Sequence, residues 1–470
     1  MRYTDNDILY GRVSLDTPYL EKKTPVLLTE ETMALRKRKI LDAMHKHYLD
    51  AVIIYADREH GHNFEYLTGF APRFEEAILI LHSNGEAYLL LGNEMLSMCK
   101  YCRIPAKPIH VPYFSLPNQP MENEQKMEDV FQSAGITMEK QVGLVGWKLF
   151  TGRLNENEQL YDIPYYIVQA VKKITKSVRN SCNIFISPKD GVRLENSANE
   201  IAYYEFGASI ASDCVKKCLD QVNVGKTEME LAAELNGYGQ PVNVQKICAV
   251  GERFTHAIVE PRNKKVEIGE RFSVTMGLKG GLTSRAGYVA SSKDDLKEQE
   301  KDYLEIIARP YFAAAATWYS SIGIGVKAGD VFEEIETVLP KEKYGWILNP
   351  GHFTASEEWM SSPFQKNSEV RLKSGMLLQM DIIPSVAGYG KASAEDGIAL
   401  ADEALRKQLK ENYPVIWNRM QRRRKFMIEQ LGIRLKEEVL PMSDLTGYYC
   451  PFLLNPQMAF KVKETSYEDY

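Results

Sequence analysis

Three short segments in the second half of the chain place an ionisable side chain where the surrounding residues predict burial. The run from Gly375 to Met380 is largely apolar and is followed directly by Asp381. A carboxylate in such a run is expected to face inward and to have a partner, because an isolated buried charge is costly. The same reasoning applies to Glu395, and His352 follows a glycine bend of the kind that presents functional side chains. These three residues limit the folds that the chain can adopt.

The length of 470 residues favours two domains with ample core. A net charge of -5 gives no electrostatic reason to expect a nucleic acid or an anionic membrane as partner. The sequence has neither an apolar signal segment at its start nor a later run of about 20 apolar residues, so a cytoplasmic location is expected. Seven cysteines, an odd number, do not indicate a disulfide framework.

The first part of the chain alternates helical and strand patterns. Helical spacing of apolar residues runs from Glu31 to His47, and short apolar strands are expected at 51–55, 77–81 and 87–91. The first 30 or so residues are polar and are interpreted as an arm. We therefore expect an α/β domain over residues 1–185.

A second domain is expected over residues 186–402. Ser197 and Glu200 form the sequence pattern of a capping box at the start of a helix. Residues 403–470 are expected to form a helix and a tail that packs on this domain, with one long helix from Asp402 to Leu431. The arginines of that helix are interpreted as a solvated face, with a polyanion-binding patch as the alternative.

The order of several motifs resembles the creatinase/prolidase/methionine aminopeptidase family, which has the pita-bread fold. The motifs are Asn63–Phe70, Asn349–His352, Gly375–Asp381 and Ala394–Gly397. The resemblance implies an α/β (α+β) protein, with a creatinase-like N-terminal domain, a pita-bread catalytic-type domain and a C-terminal helical extension. It also implies a homodimer.

The same resemblance predicts a degenerate metal site. Metal-using members of the family hold two divalent ions with two Asp, one His and two Glu, but Thr275 stands at the first Asp position and Arg285 on or near the second. We therefore expect no metal cofactor, with the Arg285 guanidinium bridging Asp381 and Glu395 in place of the ion. The alternative is one weakly held divalent cation on His352, Asp381 and Glu395.

Loss of metal does not exclude catalysis, because creatinase-like members hydrolyse a C–N bond without it. An imidazole titrates near neutrality and can transfer a proton between water and a leaving nitrogen. The predicted catalytic residues are His256 as proton shuttle, His352, Asp381 and Glu395. The predicted substrate contacts are Arg285, Trp359, His60 and Arg58.

The sequence therefore favours an enzyme over a binding protein. The leading hypothesis is a metal-independent hydrolase that acts on a C–N bond of a small, cationic nitrogen compound or a short peptide. One alternative is a non-catalytic pseudo-peptidase that binds peptides. The other is a metalloenzyme similar to Xaa-Pro aminopeptidases or dipeptidases, with an atypical metal site.

Overall fold

The computed structural model describes residues 1–15, 23–72, 74–252 and 260–463. It divides the chain into one unit of residues 28–193 and a second unit that combines residues 1–27 with 194–470. The first 27 residues thus belong with the C-terminal part of the chain, not with the expected N-terminal domain. The segment 403–470 belongs to the same unit as the expected catalytic domain.

The unit of residues 28–193 is built on a six-stranded sheet in the order β5-β4-β3-β2-β6-β7. Strands β2, β3 and β4 are antiparallel neighbours, whereas β2, β6 and β7 run parallel. The expected helix and strands are confirmed. The elements are α1 (Glu30–Lys46), β2 (Ala51–Ala56), α2 (His62–Thr68), β3 (Ala77–His82), β4 (Ala87–Leu91), β5 (Lys107–His110), α3 (Met127–Ser133), β6 (Val142–Val145), α4 (Tyr165–Ile174), β7 (Val178–Asn180) and α5 (Asn183–Ile186).

The motif Asn63–Phe70 is mostly helical. It forms α2, which ends at Gly69, a residue with a φ of 78°. Asn63 is buried, donates from Nδ2 to the Gly146 carbonyl over 2.8 Å and accepts from Arg193 over 2.7 Å. These hydrogen bonds tie α2 to the end of β6 and to the end of this unit.

The second unit carries a sheet of seven strands. Six of them follow the order β11-β12-β13-β10-β9-β8, and the seventh, β14, also pairs with β13. Its elements are β1 (Ile8–Arg12), α6 (Ala198–Asp220), α7 (Glu228–Ala232), β8 (Ile247–Val250), β9 (Arg271–Leu278), β10 (Gly281–Tyr288), α8 (Arg309–Ser321), α9 (Ala328–Val338), α10 (Lys341–Tyr344), β11 (His352–Phe353), β12 (Leu377–Met380), β13 (Ser393–Leu400), α11 (Glu403–Asn412), α12 (Pro414–Glu429), β14 (Val439–Pro441) and β15 (Met458–Val462).

The helix α6 begins with the expected capping box. Ser197 accepts from the backbone of Glu200, and Glu200 accepts from the Ser197 amide over 2.9 Å. This pairing satisfies donors that the first helical turn would otherwise leave free. The expectation of a helix start at this position is confirmed.

The expectation of a single helix from Asp402 to Leu431 is wrong. Two helices, α11 and α12, meet at Tyr413 and Pro414. Proline lacks the amide hydrogen of a continuous helix and disfavours helical conformation in the residue before it, so Pro414 starts a new helix. Pro414 occupies the first turn of α12, where the missing donor costs nothing.

Part of the basic face of α12 is buried, contrary to the expectation of a solvated face. Arg419 and Arg423 are only 2% and 4% exposed. The Arg419 guanidinium pairs with Glu205 of α6, and Arg423 contacts both Glu205, at 2.7 Å, and Asp444, at 2.6 Å. These arginines are internal ion-pair partners that join α12 to α6.

Five residues of the expected arm, Ile8–Arg12, form a strand. Strand β1 pairs antiparallel with β15, with Ile8 opposite Val462 and Arg12 opposite Met458. The partner strand lies more than 400 residues later, so local sequence patterns could not indicate the pairing. Among the described helices, none combines the length and apolar content needed to cross a bilayer.

Candidate metal and active site

Strand register brings a row of polar side chains to one face of the second sheet. Thr275 of β9 lies opposite Ser284 of β10, and Ser284 lies opposite Glu395 of β13. Directly opposed residues in antiparallel strands project to the same face. Thr275 Oγ1 and Ser284 Oγ are 2.9 Å apart, and both residues are buried.

The hairpin between β9 and β10 sets this register. Leu278 pairs with Gly281, which leaves Lys279 and Gly280 as a two-residue turn. Gly280 has a φ of 105°, and a side chain there would meet the backbone of Tyr204 in α6. Glycine is therefore needed at this position for both conformation and space.

The row continues into a buried cluster of His352, Asp381 and Glu395. One ligand-type atom from each of the three lies within 4.8 Å of the other two. His352 Nε2 is 4.0 Å from Asp381 Oδ2, and all three residues are less than 9% exposed. The structure thus brings together three of the four predicted catalytic residues.

Two further residues at this site were not among the predicted site residues. Glu358 Oε1 lies 3.0 Å from His352 Nε2, and its side chain is 20% exposed, so it reaches toward solvent. Gln379 donates to the Leu282 carbonyl over 2.5 Å and approaches Glu395 Oε1 at 3.4 Å. Glu358 stands directly before Trp359, but only the folded loop shows that its carboxylate reaches His352.

Trp359 forms an aromatic wall beside the cluster. Its ring stacks on the His352 ring with centroids 4.1 Å apart and an angle of 24° between the planes. Trp359 is 36% exposed, so part of the indole remains accessible. The structure places Trp359 beside His352, and its contact with substrate stays a prediction.

Burial and proximity shift the proton affinities of the cluster. Burial raises the pKa of Asp381 to about 6, although His352 opposes this shift. Burial also raises the pKa of Glu395 well above its usual range, and the charges of Asp381 and Glu358 add to the effect. For His352, burial alone would lower the pKa, but Glu358 and Asp381 favour the imidazolium and the pKa is raised. The cluster therefore holds protons tightly in the absence of another cation.

The hypothesis that Arg285 replaces a metal between Asp381 and Glu395 is wrong. The Arg285 guanidinium pairs with the Asp396 carboxylate and donates to the Leu445 carbonyl over 2.6 Å. It also donates to the backbone carbonyls of Ser284 and Glu395, at 2.7 and 3.1 Å. Adjacent residues of a strand face opposite sides, so Ser284 faces the cluster and Arg285 faces away from it. Arg285 is 2% exposed and is not placed to contact a substrate.

The donor set of the cluster fits a divalent cation. An imidazole and two carboxylates are ligands of the kind that Zn²⁺ or Mn²⁺ accepts. Asp381 Oδ1 is buried and has no hydrogen-bond partner. Because buried polar atoms are normally paired, this oxygen fits the role of a metal ligand. Coordination by His352 would require Nε2 without a proton, because a metal binds the neutral imidazole.

The remaining predicted site residues are His256, His60 and Arg58. His256 lies outside the described residues. His60 and Arg58 belong to the unit of residues 28–193, where His60 stacks on Trp147 with ring centroids 4.7 Å apart. The Arg58 side chain is 77% exposed and lies 3.7 Å from Glu59. A role in substrate binding stays a prediction for both.

Comparisons with known proteins agree with this fold. The sequence is 23% identical over 377 residues to an Xaa-Pro dipeptidase of Pyrococcus horikoshii, covering 76% of this chain and 93% of that protein. Among solved structures, prolidase from Thermococcus sibiricus is similar with a TM-score of 0.62 and 17% identity, over 80% of this chain and 96% of that one.

X-Pro aminopeptidase from Thermotoga maritima is also similar, with a TM-score of 0.58 and 14% identity, over 78% of this chain and 95% of that one. At such identities the structural likeness establishes the fold alone. The sequence profile of metallopeptidase family M24 matches residues 203–461, which is more than half of the chain. This chain is a member of metallopeptidase family M24.

Proposed function

We propose that this chain is a hydrolase of short peptides, similar to Xaa-Pro dipeptidases, that uses a divalent cation held by His352, Asp381 and Glu395. The observation that carries the proposal is the buried cluster itself, with the unpartnered Oδ1 of Asp381. The metal-independent hydrolase, the leading hypothesis from the sequence, placed a guanidinium among these carboxylates, and Arg285 instead pairs with Asp396.

His352, Asp381 and Glu395 would hold a divalent cation, which would supply polarisation of the scissile carbonyl and activation of water. Glu358 is the carboxylate best placed to move the proton, because its side chain reaches toward solvent beside His352. It would accept a proton from the attacking water and deliver it to the leaving nitrogen. The accessible part of Trp359 would pack against an apolar part of the substrate such as a proline ring.

The test is hydrolysis by chelator-treated protein before and after addition of Mn²⁺, Co²⁺ or Zn²⁺. The substrates are Xaa-Pro dipeptides, with dipeptides lacking proline, N-acyl amino acids and amidines as comparisons. We expect cation-dependent cleavage of Xaa-Pro dipeptides. Glu358→Gln should lower kcat about 100-fold or more with little change in KM, whereas the neighbouring Glu357→Gln should change neither.

A second candidate is a non-catalytic peptide-binding protein, favoured by the neutral hydroxyls of Thr275 and Ser284 beside the cluster. If calorimetry shows that Xaa-Pro dipeptides bind, and none of the three cations supports their hydrolysis, the binding protein replaces the hydrolase as the proposed function. Cleavage of amidines in the presence of chelator would instead support the metal-independent hydrolase that the sequence favoured.

A further inference from the structure

The side chains next to Glu395 on the site face of the sheet are neutral. Across β10 and β9 from Glu395 stand Ser284 and then Thr275, each directly opposite its neighbour. Their hydroxyls are 2.9 Å apart and hydrogen-bond to each other. Hydroxyl oxygens supply no negative charge, so this part of the site offers little to a second dication.

The charge of the cluster leads to the same result. Among the described residues, the carboxylates of Asp381, Glu395 and Glu358 lie around His352. Three carboxylates carry enough negative charge to neutralise one divalent ion, but not enough to neutralise two divalent ions at close range. The next carboxylate along β13, Asp396, faces the other side of the sheet and is already held by Arg285, Thr283 and Ser443.

We propose that this chain binds a single divalent cation, and that the hydroxyl pair of Thr275 and Ser284 is what limits the site to one ion. The inference rests on the proposed function for the choice of site. It goes further because it states how many ions bind and which two residues determine that number. Ser284, and not Arg285, is the position in β10 that decides this number, because the two-residue turn at Lys279 and Gly280 places Ser284 opposite both Thr275 and Glu395.

The experiment is to restore carboxylates at the two hydroxyl positions of the full chain and to count bound Mn²⁺. Wild-type protein should bind one Mn²⁺ per chain by equilibrium dialysis with elemental analysis, and Asp381→Asn should abolish that binding. The double variant Thr275→Asp/Ser284→Asp should bind two. Its electron paramagnetic resonance spectrum should change from that of an isolated Mn²⁺ to that of an exchange-coupled pair.

The matched control is Thr275→Asn/Ser284→Asn, which has nearly the same shape without the charge and should remain at one ion. Circular dichroism of each variant reports whether it is folded. Should the double aspartate variant fail to fold, Ser284→Asp alone should tighten binding of the single Mn²⁺ about tenfold relative to Ser284→Asn.

Wild-type protein that binds two ions or none would overturn the proposal. A folded double aspartate variant that still binds one ion would also overturn it, as would equal Mn²⁺ affinity of the two single variants. These readouts need no substrate, so absence of peptide hydrolysis would count against the proposed function and not against this inference.

Discussion

At the scale of single residues, the ionisable groups of the second sheet separate onto its two faces. Glu395 and Asp396 are neighbours in β13, yet Glu395 belongs to the cluster with His352 and Asp381 while Asp396 pairs with Arg285. The alternation of side chains along a strand produces this separation. Arg285 lies on the face of the sheet opposite the cluster. Its guanidinium also donates to the backbone carbonyl of Glu395 and so connects β10 to β13.

A second group of buried charges lies away from the cluster. Lys23 is buried between Asp213 of α6 and Asp444, with its Nζ 2.7 Å from Asp444 Oδ2. Burial raises the pKa of Asp213 to about 6 from a usual 3.8, although Lys23 opposes the shift. Attraction to Arg423 and Lys23 overcomes burial at Asp444 and lowers the pKa of that carboxyl. One of the two carboxyls around Lys23 therefore takes up a proton at mildly acidic pH.

This difference predicts a pH-dependent effect of Asp213→Asn. Because the folded-state pKa of Asp213 exceeds its unfolded value, the folded state binds the proton more tightly, and the resulting stability is present below pH 4 and lost as the pH rises through about 6. The stability of wild-type protein relative to Asp213→Asn should therefore fall by up to about 3 kcal/mol between pH 4 and pH 8.

Thermal denaturation of both proteins across that pH range measures the difference. Asp42→Asn at an exposed position of α1 serves as a control, since substitutions of exposed residues away from specific contacts change stability little. A constant difference between wild type and Asp213→Asn from pH 4 to pH 8 would contradict the prediction.

At the scale of elements, α12 is joined to α6 by buried ion pairs. Arg423 of α12 contacts Glu205 and Asp444 and donates to the Met442 carbonyl over 3.0 Å. Two positions later, the Lys425 side chain is 70% exposed and lies 3.8 Å from Glu429. Neighbouring basic residues of one helix thus have very different energetic roles.

We expect Arg423→Met to destabilise the second unit by about 3–5 kcal/mol, because it leaves Glu205 and Asp444 with fewer partners in a buried site. The matched change Lys425→Met should alter the free energy of unfolding by no more than about 0.5 kcal/mol. Urea denaturation followed by circular dichroism measures both. Equal effects of the two substitutions would show that burial of Arg423 carries no energetic weight.

At the scale of the whole molecule, the two units differ in how the chain builds them. Residues 28–193 form one unit from a continuous segment, whereas the site-bearing unit needs residues 1–27 as well as 194–470. The N-terminal segment supplies β1, which pairs with β15, and Lys23, which lies between two buried carboxylates.

Deletion of residues 2–27 should therefore lower the melting temperature of the site-bearing unit only. Loss of β1 exposes an edge of β15, and loss of Lys23 leaves Asp213 and Asp444 without a shared cation. Calorimetry of the full and shortened chains measures the thermal unfolding transitions of the two units. Calorimetry of the isolated segment 28–193 identifies the transition of that unit. A shift of the 28–193 transition would contradict this assignment.

Much of the local structure could be predicted from the sequence. Apolar runs fix β2, β3 and β4, and the Ser197–Glu200 pair fixes the start of α6, because the residues that determine these features are close in the chain. The fold class follows from the order of such elements, and membership of family M24 agrees with the resemblance in the motifs. His352, Asp381 and Glu395 could be predicted for the same reason, since each lies in a distinctive short motif.

The tertiary structure alone decided which residues share a face and which distant segments pair. A count of ten residues from Thr275 leads to Arg285, but the turn at Lys279 and Gly280 makes the opposed residue the ninth, Ser284. A change of one residue in register reverses every side chain of a strand, so this small difference moves a guanidinium out of the site and a hydroxyl into it. The pairing of β1 with β15 and the approach of Glu358 to His352 also depend on contacts that no local pattern encodes.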